Sequence, residues 1–135
     1  MRITDPSQLS VDMIIYNVQV FANTHNSSMT IINKFRVIKF PVTTSNGMTD
    51  FIKVAPYQEY IKVNFTDNTW APGKRTPGGR HEEKSMEDMG IIPNKYNQHQ
   101  TFNNLTDAKQ YICSVLNLNI TTRGAYDRAM KVLDI

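Results

Sequence analysis

The 135-residue sequence predicts an α+β fold: an antiparallel sheet from about residues 11–65, then two C-terminal α-helices packed on or beside it. Three observations lead there. The first half is rich in β-branched and aromatic residues that alternate along the chain, the mark of half-buried strands. After Phe102 the apolar residues recur every three to four positions, as on one face of a helix. The links between apolar runs in the first half are short, which suits an antiparallel meander. Strands followed by helices is the α+β order.

Residues 11–22 form the first expected strand, with Ile14, Tyr16, Val18 and Val20 on one face. A polar cluster at 23–28 turns the chain. Residues 29–42 form a second, long strand. Ile31, Phe35 and Val37 keep one parity there, while Ile38 and Phe40 break it, which predicts a bulge or bend. Residues 51–54 give a short third strand that Ala55-Pro56 ends. Residues 60–65 give a fourth, with Ile61, Val63 and Phe65 inward. Residues 66–84 hold three glycines, two prolines and Lys74, Arg75, Arg80 and His81, and read as one long basic loop. Ser85 to Gly90 reads as a capped helical turn. A helix at 104–116 is capped by Asn103 or Asn104, with a stripe of Leu105, Ala108, Ile112, Val115 and Leu116. A last helix at 122–134 presents Ala125, Ala129, Val132 and Leu133, and the whole fits one domain.

Composition excludes several classes. With 40% hydrophobic residues the chain can build a core, so pervasive disorder is not expected. No apolar run approaches the roughly 20 residues that span a bilayer, so no membrane partner is expected, and residues 1–7 do not read as a signal peptide. One cysteine, Cys113, allows no internal disulfide and no multi-cysteine metal site. Net charge is +3. Residues 1–70 carry six basic and five acidic side chains, and residues 71–135 carry nine and seven. Without a dense basic cluster, nucleic acid is not the expected partner. A small anionic ligand suits this balance better.

Motifs of catalysis are missing from the sequence: it has no G-x-S-x-G elbow, P-loop or dinucleotide fingerprint. His81-Glu82-Glu83 begins like a zincin helix, but Ser85 stands where the second histidine belongs. No catalytic residue, metal or cofactor is therefore expected. Binding ingredients are richer. Residues 94–102 pack aromatic faces and amides together. Tyr96, His99 and Phe102 can stack on a base, while Asn94, Asn97 and Gln98 can hydrogen-bond its edge. Arg123 and Arg128 offer planar forks for phosphate. The expected ligand-binding residues are thus Asn94, Tyr96, His99, Phe102, Arg123 and Arg128. A purely structural alternative stays open for Phe102, as a staple over the next helix, and for Tyr96, as an edge-packing aromatic.

Residues 89–102 (MGIIPNKYNQHQTF), followed by Asp107-Ala-x-x-Tyr111, resemble small proteins carried by bacterial viruses. The β-rich first half, two late helices and short length are similar to the Thoeris anti-defence sponge proteins. That second likeness is of architecture and size, and carries no residue assignment. It implies an oligomeric, non-catalytic trap that sequesters a cyclic ADP-ribose-type signal or a cyclic oligonucleotide in the host cytoplasm. The partner expected is a small nucleotide-derived signalling molecule, with the protein a homo-oligomer. The alternatives are an accessory protein that docks on a host protein or nucleic acid, and a minor virion component.

Overall fold

A computed structural model of the chain describes residues 1–21, 29–64, 69–74, 80–95 and 97–115. Among them, one antiparallel sheet dominates. Its strands are β1 (Arg2–Ile3), β2 (Ile14–Phe21), β3 (Met29–Val42), β4 (Phe51–Asn64), β5 (Thr69–Lys74), β6 (Glu82–Ser85) and β7 (Gln100–Phe102); a single helix, α1 (Leu105–Val115), follows. The strand order is β1-β7-β2-β3-β4-β5, with β6 also on β4. Neighbours that are consecutive in sequence pair through β2, β3, β4 and β5, as short connections favour.

The expected α+β class with two C-terminal helices is therefore corrected. The architecture is closer to all-β with one small helix, because residues 66–84 are not one loop. β5 pairs with Glu59–Asn64 and β6 with Phe51–Val54, so two short strands share the 14-residue edge of β4. Pro72 is tolerated because β5 stands at the end of the strand order, where one side of the backbone needs no ladder partner. The expected third and fourth strands are likewise one strand. Pro56 stays within β4 opposite Phe35, at a register shift between Asn33 and Phe35. The parity break in β3 corresponds to further shifts between Val37, Lys39 and Val42. The helix expected at 122–134 lies outside the described residues.

Alternation gives each sheet face its own apolar layer. On one face Ile15, Phe35, Val37, Ile52 and Val54 are buried with Ile3 and Leu9 beneath Met86, Met89 and Ile91. On the other, Val18 and Phe102 are buried where α1 packs on β2 and β7, and Ile32 and Ile61 are buried further along the same face. Each such side chain contributes about 1.5–3 kcal/mol. Asn104 caps α1 by accepting from the Asp107 amide at 2.8 Å. The helix buries Leu105, Ala108 and Ile112 as the stripe predicts, together with Lys109 and Tyr111, which the stripe did not include.

Candidate functional site

The segment from Ser85 to Phe102 folds back on itself and builds one wall of a cleft. The Ser85 hydroxyl accepts from the Asp88 amide at 3.2 Å, and the Ser85 carbonyl from the Met89 amide at 3.0 Å. Gly90 then turns the chain with φ +72°, in the region that favours glycine. A Cβ at Gly90 would overlap the His99 carbonyl, so the two limbs touch backbone to backbone.

Amides tie the limbs together. Asn94 Nδ2 donates to the Glu87 carbonyl, and Asn94 Oδ1 accepts from the Asn97 amide at 3.0 Å. Asn97 Nδ2 donates to the Asp88 carbonyl (3.2 Å) and carboxylate (3.1 Å), and its Oδ1 accepts from the His99 amide at 3.1 Å. His99 Nδ1 lies 2.9 Å from the Asp88 carbonyl; a carbonyl only accepts, so this nitrogen carries the proton. Beneath, the buried Asn17 donates to the carbonyls of Met89 (3.1 Å) and Gln100 (3.3 Å) and to the Thr101 hydroxyl (3.0 Å). The Thr101 hydroxyl donates to the Met89 carbonyl at 2.8 Å.

The opposite wall comes from β1 and α1. Arg2 stands beside Phe102 in the β1–β7 ladder. Tyr111 donates from its hydroxyl to the Gln98 carbonyl at 2.6 Å, and its ring meets Phe102 with centroids 5.7 Å apart. Burial pushes the Tyr111 phenol above its ordinary value, with the Arg2 charge acting weakly against it. The phenol is therefore a neutral donor near pH 7. Between these walls lies a cleft of about 270 Å³ lined by Arg2, Gly90, Asn94, Asn97, Gln98, His99, Gln100 and Tyr111. Arg2 is the one Arg or Lys in that lining. The cleft can hold a small polar anion, with a guanidinium on one side and amide groups and an imidazole on the other.

Of the expected ligand residues, Asn94 and His99 line the cleft. Phe102 does not: it is 5% exposed and packs under Tyr111, so its ring has no face to offer a base. Tyr96, Arg123 and Arg128 lie outside the described residues. Lys74 ends β5, and Arg80 and His81 are exposed and do not line the cleft. Sequence reasoning missed Arg2, whose place depends on a two-residue strand pairing with a segment about a hundred positions away. It also read the asparagines as ligand groups, whereas much of their hydrogen bonding goes to the loop itself.

Among the described residues, no three His, Cys, Asp or Glu side chains gather as a metal site, and no helix is long and apolar enough to cross a membrane. A family described as Phage g100-like protein matches residues 3–115. No curated protein and no solved structure matches the chain.

Proposed function

We propose, from the premise that this chain belongs to the Phage g100-like protein family, that it is a non-enzymatic viral binding protein. It sequesters a small, anionic, nucleotide-derived signal in the host cytoplasm and so blunts an antiviral response. The observation that carries the reading is the cleft. Arg2 faces a wall whose amides and imidazole are fixed in advance by the Asn94–Asn97–Asp88–His99 bonds. Such pre-ordering lowers the entropy lost on binding. A guanidinium selects phosphate geometrically as well as by charge, and that keeps binding from being a mere response to ionic strength.

The cleft is slightly smaller than the roughly 300–1,000 Å³ of ordinary ligand pockets, so it suits one phosphoryl–ribose unit better than a whole dinucleotide. Calorimetry against cyclic ADP-ribose isomers and cyclic dinucleotides tests the proposal. A saturable, exothermic response that Arg2→Gln weakens at least about tenfold, equal to 1.4 kcal/mol, is expected. Silence across that panel would contradict it. The same reading takes the protein as a homo-oligomer, and a monomer mass by light scattering would contradict that part.

A further inference from the structure

On the sheet face that carries it, α1 packs mainly on β2 and β7. Tyr16 pairs in register with both Phe102 and Lys34, which places Lys34 on the helix side of the sheet but two strands further along. Arg36 follows on the same face two residues later, opposite Ile14 and Ala55. Lys39 and Lys53 stand directly opposite each other in the β3–β4 ladder. Four cations from two strands thus share one face, with Lys39 exposed and Lys34, Arg36 and Lys53 half-buried. The acids there among the described residues are Asp12, paired to Arg36 at 2.9 Å, Glu83, opposite Lys53, and Glu59, two residues before Ile61 on β4. Lys34 Nζ sits 4.4 Å from the centroid of the Tyr57 ring, and the Arg36 side chain is 41% exposed.

Like charges placed directly across a ladder cost stability, so the Lys39–Lys53 pair is a price that an anionic partner removes. Alternate residues on a strand lie roughly 7 Å apart, a spacing that successive phosphates of an extended strand can follow. Aromatic faces among the cations add sequence-tolerant stacking. We propose that this face, formed by Lys34, Arg36, Lys39, Lys53 and Tyr57, binds single-stranded nucleic acid. The sequence hides the surface because its cations are spaced along the chain and only the β3–β4 register gathers them. The site is separate from the cleft and does not depend on the cleft's ligand.

Fluorescence anisotropy of a labelled oligothymidylate of roughly ten nucleotides, titrated with the full chain across a salt series, is the test. Saturable binding is expected. Lys39→Gln with Lys53→Gln should weaken it about tenfold or more and reduce the salt slope by roughly 1.4, which is two phosphate contacts. Tyr57→Leu should weaken it about fivefold or more, and Arg2→Gln should leave it unchanged. Lys39→Glu provides the folding control, since it turns a like-charge pair into an opposite one and should not lower the melting temperature. Absence of binding, or binding that the double substitution leaves intact, would overturn the proposal. So would equal binding of a duplex of the same length, or displacement by an acidic peptide at equal charge, which would point to a protein partner.

Discussion

At Gly90 two physical demands meet in one residue. Its φ of +72° disfavours any side chain, and a Cβ would strike the His99 carbonyl across the turn. Gly90→Ala is expected to cost more than the roughly 1 kcal/mol of an ordinary glycine replacement, because relief requires the limbs to part. Chemical denaturation measures the loss, and ligand titration should show the cleft weakened with it. Phe102 is the residue whose role differs most from its sequence reading. Its ring is buried against Tyr111 and on the β7 side of Tyr16. Phe102→Ala should therefore destabilise the protein by about 3–5 kcal/mol, as buried Phe→Ala changes do. A variant that kept full stability and lost only ligand binding would restore the stacking role. Sequence alone could not separate these two, since a hydrophobic staple and a stacking platform ask for the same residue at the same place.

The elements show why part of the fold was legible and part was not. Alternation in residues 14–21 and 29–42 and the periodicity from Leu105 are local signals, and the structure has β2, β3 and α1 there. β5 and β6 have no such signal. They are strands because β4 is long enough to offer hydrogen-bonding edge to both, a tertiary effect that overrides Gly and Pro content. β1 is shorter still, and brings Arg2 to the cleft only through its pairing with β7. The Tyr111 hydroxyl bond to Gln98 ties α1 to the 90–99 loop. Tyr111→Phe should cost about 0.5–1.5 kcal/mol. The phenol is raised in the folded state from the 10.0 of a free tyrosine, so the fold holds that proton more tightly than the unfolded chain does. Its contribution is then complete below pH 10.0 and is lost as pH rises through the higher folded value. Urea titrations from neutral pH into that alkaline range should show wild-type stability falling more than that of Tyr111→Phe.

At the scale of the whole molecule, two regions lie at different places along the sheet. The cleft lies at the β1–β7 end, between the 90–99 loop and a wall of Arg2 and Tyr111; the β3–β4 part of the helix-bearing face holds the cations around Tyr57. The net charge of +3 is thus distributed by strand pairing and not by sequence blocks, which is why composition pointed to a small anion and nothing larger. A viral protein that traps a signal must hold it and leave it intact, and a pre-ordered polar cleft serves holding. Native mass spectrometry of the protein purified from cells that produce the signal tests this claim most directly. Wild-type protein should carry a nucleotide-derived mass that is released unchanged on denaturation, and Arg2→Gln should carry little or none. Wild-type protein with no bound small molecule, or with a hydrolysed product, would contradict it.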